Sequence, residues 1–390
     1  MNTQKKIKIA LVRGDSLKEQ ETRIWKNLGD EFATTAFCAK KNVFAATQDL
    51  PVERLPASSD SFFVKNAYKY GLGQYQRLFG LEKKIESFDI AHTVETFMYF
   101  TLQAVRAKRL NPRLKVVTSV LDNTFGRFEY NYWPGFRMPP AYWRNKINAI
   151  TKECLAGVDL FLPVSNYSAE FLYELGANPK KVQVMYPGLV IFPTTDTVLK
   201  KYQLENQPFY LAVCRSVWEK GVYDILYAWK IYLQKNAGHS TKVLVMSGNG
   251  PEFANMNRLV HEFGLEKTVR LYPNVSNEDV QQLHAHADAL VLASTPIRTW
   301  QEQFGYVLAE AILSYCPVIS TTSGAIPEIV ETAGILVPGG NPVALASAFQ
   351  QMDQPAVRNA LRAECVRVRE KYTADAYCQR LAGAYKSLLV

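Results

Sequence analysis

The sequence predicts an α/β protein made of two Rossmann-like domains. Short apolar or β-branched runs alternate with amphipathic segments from end to end, which is typical of parallel sheets covered by helices on both faces. Two such sets are separated by the stretch "YPGLVIFPTTDTVLKKYQLENQPF". The 390 residues are enough for two substantial cores, and 48% hydrophobic and 21% charged residues are ordinary for a globular protein.

Strands are predicted in both halves of the chain. In the first half they are "KIKIALV", "FDIAHTV", "LKVVTSVL", "DLFLPVS" and "KVQVMYP". In the second half they are "FYLAVCR", "KVLVMSG", "VRLYPNV", "ADALVLAS", "CPVISTT" and "AGILVP". Helical periodicity covers 220–236, 251–263, 277–287 and 303–315, and the final segment, 356–389, is also helical. We therefore expect a first domain over 1–190, completed by a returning C-terminal helix at about 372–390, and a second domain over 191–371.

The charge is distributed unevenly between the two halves. Residues 1–200 contain 28 Lys and Arg against 19 Asp and Glu, whereas residues 201–390 contain 17 of each. Residues 101–150 alone hold nine basic and two acidic side chains. This asymmetry predicts an acidic partner for the first domain. Nucleic acid is not expected, because the surplus is modest and no segment resembles a nucleic-acid-binding module.

The cysteines and histidines indicate neither disulfides nor a metal site. The six cysteines are scattered without a C-x-x-C pair, so we expect reduced thiols in a cytoplasmic protein. His284 and His286 would leave a helix on different sides, and no D-x-D occurs to hold a divalent ion on a phosphate. We expect no metal and no other cofactor. The start, "MNTQKKIKIALVRG", is interpreted as a first strand and not as a signal peptide, and no apolar run approaches the ~20 residues that span a bilayer.

The stretch "WQEQFGYVLAE" places two glutamates eight positions apart on either side of a glycine. Gly305 favours a loop that turns into a helix, because glycine permits close backbone approach. Glu302 would then lie in the loop beside the free N–H groups of the helix start, and Glu310 about one turn inside the helix. This arrangement suits a ligand that carries hydroxyls and negative charge.

Three other strand ends of the second half carry polar groups or glycines. "CRSVWEKG" places Arg215 and Lys220 five residues apart, "SGNGPE" is a glycine loop that contains Gly248, and "NVSNED" offers Ser276 and Asn277 as helix caps. Each feature alone is more often a solvated side chain or an ordinary turn. Because ligands of open α/β sheets bind beyond the carboxyl ends of the strands, their convergence on one edge would suit a diphosphate.

The combination of these motifs resembles the retaining glycosyltransferases of the GT4 family, which have the GT-B fold. This resemblance implies two Rossmann-like domains that face each other across a cleft. The likeness is strongest over 209–350 and includes the E-x7-E signature "EQFGYVLAE" followed by "CPVISTTSGAIPEIVETAGILVPGGNPVAL". The first half is similar more loosely, through "IALVRG", "FDIAHTVE", "VVTSVLDN" and "LAGVDLFLPVSNYSAEFLYELGANPKKVQVMYPG". The resemblance thus extends over nearly the whole chain.

The resemblance implies roles for the donor-side residues. Arg215 and Lys220 would neutralise the departing diphosphate in place of a metal ion. Glu310 would accept hydrogen bonds from both ribose hydroxyls, and Glu302 would hold hydroxyls of the transferred sugar. The remaining donor-binding positions it implies are Phe304, Gly305 and Tyr306 for sugar and phosphate, Gly248 in its glycine loop, Val275 for the base, and Gly14 of the first domain for the phosphates.

One acceptor-side position departs from the family pattern. Many relatives carry a histidine where this chain has "TSVLDNTF", so Asp122 stands there as a candidate catalytic residue. A turn residue that caps the next segment is an equally good interpretation of Asp122. The resemblance needs no protein nucleophile, because the departing phosphate can take the acceptor's proton on the same face. His92, another strand-end residue of the first domain, is interpreted as structural.

The expected function is therefore metal-independent, retaining transfer of a hexose from a nucleotide-diphosphate sugar to a glycan or lipid-linked acceptor. It would serve the synthesis of cell-envelope polysaccharide, glycolipid or glycan. The alternatives are a nucleotide-sugar-binding protein without transfer activity and a nucleotide-sugar epimerase. Residues 127–146, "RFEYNYWPGFRMPPAYWRNK", interleave aromatic with basic side chains, which suits either a packed segment or a contact with an anionic membrane. The second interpretation predicts a cytoplasmic protein bound peripherally to the inner face of the cell membrane.

Overall fold

The chain divides into two compact units. Unit 1 comprises Met1–Gly188 and Ala374–Val390, and unit 2 comprises Leu189–Thr373. The structure, a computed structural model, describes residues 5–44, 49–66, 76–121, 140–236, 241–297 and 300–390, with backbone only for 20, 66 and 140–144. The expected domain boundaries, at 190/191 and 371/372, lie two residues from the observed divisions.

Unit 1 contains a parallel six-stranded sheet. Its strands are β1 (Ile7–Val12), β2 (Phe32–Ala39), β3 (Val52–Leu55), β4 (Ile90–Val94), β5 (Lys115–Val120) and β6 (Leu160–Pro163), in the order β3-β2-β1-β4-β5-β6. Its helices are α1 (Glu19–Lys26), α2 (Phe62–Asn66), α3 (Leu81–Lys84), α4 (Tyr99–Ala107), α5 (Pro140–Gly157), α6 (Asn166–Glu174) and α15 (Ala374–Leu389). Strands such as "IKIALV" are almost continuously apolar because helices bury both faces of the sheet.

Unit 2 repeats this architecture. Its strands are β7 (Phe209–Val213), β8 (Val243–Ser247), β9 (Val269–Tyr272), β10 (Ala289–Leu292), β11 (Val318–Thr321) and β12 (Gly334–Val337), in the order β12-β11-β10-β7-β8-β9. Its helices are α7 (Thr197–Lys201), α8 (Val222–Lys235), α9 (Phe253–Glu262), α10 (Asn277–His286), α11 (Tyr306–Leu313), α12 (Ile326–Val330), α13 (Pro342–Asp353) and α14 (Pro355–Val368). In both sheets, each numbered from its own first strand, the order is 3-2-1-4-5-6, which is the Rossmann arrangement. The predicted fold class is confirmed.

An aromatic cluster holds the helices of unit 2 onto its sheet. Trp229 of α8 is fully buried and stacks on Tyr232 at 4.9 Å between ring centroids, with the Phe349 ring of α13 edge-on at 5.4 Å. The hydroxyls of Tyr210 and Tyr232 donate to the two carboxylate oxygens of Asp353, at 2.8 and 2.6 Å. The cluster therefore buries large rings while each of these hydroxyls keeps a hydrogen-bond partner.

The C-terminal helix α15 packs on the sheet of unit 1, as expected from the sequence. Tyr385 is buried, and its hydroxyl lies 2.5 Å from Nδ1 of His92, while the other ring nitrogen of His92 lies 2.8 Å from Ser119 Oγ. Burial, and secondarily the nearby Arg13, hold the pKa of His92 well below its usual range. A neutral, doubly hydrogen-bonded imidazole in the middle of β4 is a structural group, which agrees with the interpretation of His92 as structural.

Several predicted elements need correction. β2 and β3 were not predicted. "KVQVMYP" is not a strand. It forms an isolated parallel bridge with β6 between Val182 and Phe161, and it donates hydrogen bonds from Gln183 N to Phe161 O at 3.0 Å and from Met185 N to Pro163 O at 2.8 Å. The predicted final helix is interrupted, because α14 ends at Val368 and α15 begins at Ala374 in the other unit. Thr373, between them, pairs with Leu189 at the start of unit 2.

Candidate functional site

The candidate site lies where the strand order of unit 2 reverses. β7 and β10 are neighbours at this point, with register pairs Ala289–Tyr210 and Leu290–Leu211. In open α/β sheets the loops that leave the strands on either side of such a point lead in opposite directions, and ligands bind between them. Lys220 follows β7 and Glu302 follows β10, so the switch point brings together two residues that are 82 positions apart.

Lys220 and Glu302 form a close ion pair. The Lys220 Nζ donates to both carboxylate oxygens of Glu302, at 3.0 and 2.7 Å. Ser294 Oγ, just beyond β10, donates to the same carboxylate at 2.7 Å. The side chains of Lys220 and Glu302 are only 15% and 8% exposed, so the pair is largely desolvated. The Nζ also lies 4.7 Å from the ring centroid of Trp300.

Arg215 occupies the same loop as Lys220 but has a different environment. It is exposed, and its guanidinium makes no hydrogen bond or ion pair with a described residue. Lys220 ends a short 3₁₀ turn that begins at Trp218, and Gly221 closes this turn with a φ of +68°. A Cβ at Gly221 would lie 1.9 Å from the carbonyl oxygen of Ala293, so the glycine lets this loop rest directly on the end of β10.

Gly248 allows the loops after β7 and β8 to touch. Its φ is +142°, and a Cβ there would lie 1.7 Å from the carbonyl oxygen of Cys214. Ser216 links the two loops by two hydrogen bonds: its N donates to Asn249 O at 2.9 Å, and its Oγ donates to Gly248 O at 2.7 Å. The glycine loop therefore holds the Arg215 segment against β8.

The E-x7-E stretch folds as a loop followed by a helix, as the sequence predicts. Gly305, with a φ of +75°, is the N-cap of α11, and Phe304 before it is buried against Tyr306 and Tyr372. Tyr306, the first residue of the helix, is 41% exposed. The Glu302 carbonyl accepts from Ala325 N at 2.9 Å, which fixes the loop against the start of α12.

Glu310 lies inside α11 and is half-buried. Its carboxylate forms no hydrogen bond with any residue that the structure describes. Burial raises the pKa of this carboxyl to about 7. A desolvated carboxyl without a protein partner is suited to accept hydrogen bonds from a ligand.

The other predicted donor-binding positions are Val275 of unit 2 and Gly14 of unit 1. Val275 is half-buried in the loop before α10, whose N-cap Ser276 accepts from Asp279 N at 3.1 Å. Gly14 belongs to unit 1 and is buried, with a φ of +54°. A Cβ at Gly14 would lie 1.9 Å from Gln76 Oε1, so packing within unit 1 already requires this glycine.

The predicted acceptor-side and membrane positions mostly fall outside the described residues. Asp122 is among them, as is 127–139, and 140–144 appears only as backbone of α5. In the part of the chain that is described, no group of three or more His, Cys, Asp or Glu could hold a metal ion. No described helix is both long and apolar enough to cross a membrane. All six cysteines are free, and five of them are buried.

Two members of the cluster were missed from the sequence. Ser294 ends a predicted strand, and this position could have identified it as a candidate site residue. Polar residues at the carboxyl ends of parallel strands lie at the edge where ligands bind. Trp300 carries no such signal, because its contact with Lys220 depends on how the loop after β10 folds.

Comparison with known proteins identifies the second unit. The family described as "Glycosyl transferases group 1" matches residues 195–362. The chain carries a glycosyl transferases group 1 domain. The resemblance inferred from the E-x7-E stretch and the sequence after it is therefore confirmed, and the relatives' names support the predicted class of enzyme, a transferase of glycosyl groups.

Curated relatives of this glycosyl transferases group 1 domain include two bacterial enzymes. The D-inositol 3-phosphate glycosyltransferase of Corynebacterium kroppenstedtii is 27% identical over 46% of this chain and 42% of its own length. The GDP-mannose-dependent alpha-(1-6)-phosphatidylinositol monomannoside mannosyltransferase of Mycobacterium tuberculosis is 24% identical over 67% of each chain. The chain spans about half the length of the first curated relatives that it matches.

Solved structures match both units of the chain. A glycosyltransferase from Rickettsia africae has a TM-score of 0.70 at 19% identity and covers 98% of this chain and 99% of its own. Anabaena HepE in complex with UDP and glucose has a TM-score of 0.72 at 16% identity and covers 98% and 100%. At these identities the likeness concerns the fold, which is that of the GT-B glycosyltransferases.

Proposed function

We propose that the chain is a retaining glycosyltransferase that moves a hexose from a nucleotide-diphosphate sugar to a glycan or lipid-linked acceptor. The reaction would serve cell-envelope polysaccharide, glycolipid or glycan synthesis. The observation that carries the proposal is the cluster at the switch point of unit 2. Lys220 and Glu302 are paired there, and Arg215 and Glu310 have no described side-chain partner. Arg215 and Lys220 lie in the loop after β7, Glu302 lies in the loop after β10, and Glu310 lies in α11.

Each of the four side chains is proposed to bind one part of the donor. Glu310 accepts from the ribose hydroxyls, and Glu302 accepts from hydroxyls of the hexose. Arg215 and Lys220 stabilise the negative charge that develops on the diphosphate as the bond from C1 to the phosphate oxygen breaks. Because the Lys220 ammonium has three donors, it can keep one bond to Glu302 while it turns others toward phosphate. The same ion pair thus orients the cation before the donor arrives.

The chemistry needs no nucleophile from the protein in this proposal. The acceptor hydroxyl attacks C1 on the face that the diphosphate leaves, and its proton passes to the departing phosphate oxygen. The new glycosidic bond then has the same configuration as the donor. Two cationic side chains balance the charge of the leaving group, which is why we propose a reaction without a divalent metal or any other cofactor.

The acceptor and the location are proposed from charge and from the relatives. The similar mannosyltransferase of Mycobacterium tuberculosis is named for phosphatidylinositol monomannoside, and the first half of this chain holds the whole net positive charge. We therefore place the protein in the cytoplasm, peripherally on the inner face of the membrane, with 127–146 as a contact. Sedimentation with anionic vesicles should decrease in an Arg137→Ala/Arg144→Ala/Lys146→Ala variant; equal sedimentation of variant and wild type would remove this assignment.

A thermal-shift screen against UDP-, GDP- and ADP-sugars tests the proposed donor. A ligand at 100 times its Kd stabilises the folded state by ~2.7 kcal/mol, which is a clear shift of the melting temperature. We expect one base to stabilise the protein and the Lys220→Ala variant to lose most of that shift. Stabilisation without any transfer or hydrolysis would favour the nucleotide-sugar-binding alternative, and interconversion of the free donor would favour an epimerase.

A further inference from the structure

A pocket lies in unit 1, at the amino ends of its strands. It has a volume of about 540 Å³ and is formed where β1, β4 and β5 begin side by side. The proposed transfer chemistry belongs to the carboxyl ends of the strands. Strands of five or six residues at ~3.3 Å per residue separate the two edges by roughly 17–20 Å. This pocket is therefore distinct from the carboxyl-end edge of its own sheet.

Four cationic side chains line the pocket. Lys5 and Lys6 precede β1, Arg113 precedes β5, and Lys115 is its first residue. None of the four forms an ion pair with a described carboxylate. Other cations of unit 1 do so, as in Lys84–Glu53 at 2.5 Å, Lys108–Asp159 at 2.9 Å and Lys386–Glu31 at 2.6 Å. Unpaired cations thus converge on this one concavity.

The single acidic residue of the pocket is engaged by the backbone. Asp89 Oδ2 accepts from Lys8 N at 2.8 Å, and Asp89 N donates to Lys8 O at 3.0 Å. These bonds tie the start of β4 to β1, so Asp89 shapes the floor of the pocket. Its one charge leaves most of the positive charge of the lining uncompensated.

Exposed aliphatic side chains border the cations. Leu389, which lines the pocket, is 37% exposed, and Leu110, two residues before Pro112 of the lining, is 56% exposed. A concavity of this size has room for a small organic ligand, and its cationic lining favours one that carries an anionic group. Phosphate is the anion that Lys and Arg bind best together.

We propose that this pocket binds a phosphate-bearing ligand, either the headgroup of an anionic lipid or a soluble phosphorylated compound. Lys6, Arg113 and Lys115 supply the charge, and Asp89 keeps the three strand starts in register. The site is independent of the transfer reaction, and the two sources of phosphate are separated by experiment.

The test compares two triple variants. Lys6→Gln/Arg113→Gln/Lys115→Gln removes three charges from the pocket, and Lys200→Gln/Lys235→Gln/Lys267→Gln removes three exposed charges of unit 2 as the matched control. One arm measures co-sedimentation with vesicles of phosphatidylcholine and phosphatidylglycerol at ~0.1 M salt. The other titrates inorganic pyrophosphate by calorimetry in an Arg215→Ala/Lys220→Ala background, which removes the proposed diphosphate site of unit 2.

Each cation near an anionic surface contributes about fivefold to affinity, so the pocket variant, which lacks three cations, should bind the probe roughly 100-fold more weakly than the wild type. The affinity of the control variant should decrease much less. Loss in the vesicle arm alone identifies a lipid headgroup, and loss in the pyrophosphate arm alone identifies a soluble phosphate. The proposal is wrong if neither probe binds, or if the control variant loses as much as the pocket variant. Donor binding by unit 2 should be unchanged in the pocket variant, so failure here leaves the proposed function intact.

Discussion

At the scale of single residues, the two glutamates of the E-x7-E stretch differ in the hydrogen-bond partners of their carboxylates. Glu302 is hydrogen-bonded by Lys220 and Ser294, whereas Glu310 is half-buried without a described partner. A carboxylate that is held by an ion pair and a hydroxyl can orient a sugar. A desolvated carboxyl without a partner gains most from a ligand that donates to it.

Glu302→Gln and Glu310→Gln should therefore have different effects on binding. We expect Glu310→Gln to weaken both the bare nucleotide and the nucleotide sugar, because both carry the ribose. Glu302→Gln should weaken the nucleotide sugar and its transfer and spare the bare nucleotide. Calorimetry with both ligands measures this difference, and an equal loss of the bare nucleotide in both variants would show that the assignment of ribose and hexose is wrong.

The raised pKa of Glu310 predicts a pH dependence of nucleotide binding. Because burial raises this pKa to about 7, the carboxyl is protonated in the free protein below pH 7. A ligand that needs the ionised form must then expel a proton, so affinity should fall up to ~tenfold for each pH unit below 7 and level off above it. Titrations from pH 5.5 to 8.5 measure this profile. Glu310→Gln is the control, since it keeps the titration of the ligand's own phosphates, and an unchanged profile in that variant would contradict the role of Glu310.

The two cations should matter to turnover more than to folding. Arg215→Ala and Lys220→Ala should each reduce kcat by ~10²-fold or more, because each removes a preorganised stabiliser of the charge that develops on the leaving group. Lys200→Ala, an exposed cation of the same unit, serves as the control and should leave kcat unchanged. Near-normal kcat in both site variants would remove the diphosphate assignment.

At the scale of elements, glycines decide how closely the loops of the site approach one another. Gly221 and Gly248 both have positive φ, and both stand where a Cβ would collide with a backbone carbonyl. Gly324 does the same beneath the E-x7-E loop, where a Cβ would lie 2.1 Å from Glu302 O. The loops of the site therefore pack through direct backbone contacts at these glycines. The side chains of Lys220 and Glu302 then form their ion pair on this backbone arrangement.

Gly248→Ala should destabilise unit 2 by about 2–3 kcal/mol, because the added Cβ would lie 1.7 Å from the Cys214 carbonyl oxygen. Gly264→Ala is the matched control. Gly264 has a φ of +66°, but a Cβ there would meet open space. The substitution should therefore destabilise the protein only through the left-handed backbone conformation, by about 1 kcal/mol. Urea denaturation compares the two, and a smaller loss for Gly248→Ala than for Gly264→Ala would contradict the packing argument.

The same scale shows which elements a sequence can predict. The predicted helices at 220–236, 251–263 and 277–287 correspond to α8, α9 and α10 within two residues at either end, because apolar periodicity and Ser276 mark them. β2 escaped prediction because "FATTAFCA" alternates small and polar residues that give little apolar signal, although it is hydrogen-bonded to β1 along its length. The strand is stabilised by its pairing with β1 and not by the strand propensity of its own residues.

At the scale of the whole molecule, two sheets with one strand order follow from a regular alternation of strands and helices. The alternation could be predicted from the sequence, and so could the candidate residues, since Arg215, Lys220 and Glu302 lie in the loops that follow predicted strands. The contact between Lys220 and Glu302 could not be predicted. It depends on β10 lying next to β7, which is a property of the strand order and not of either local segment.

The configuration of the glycosidic bond in the product tests the central claim most directly. Purified protein is incubated with the nucleotide sugar that stabilises it and with a soluble acceptor, in the presence of EDTA, and the anomeric proton of the product is observed by NMR. The account predicts transfer in EDTA with the anomeric configuration of the donor retained, and at least ~10²-fold less product with Lys220→Ala. An inverted linkage, or transfer that EDTA abolishes, would contradict it.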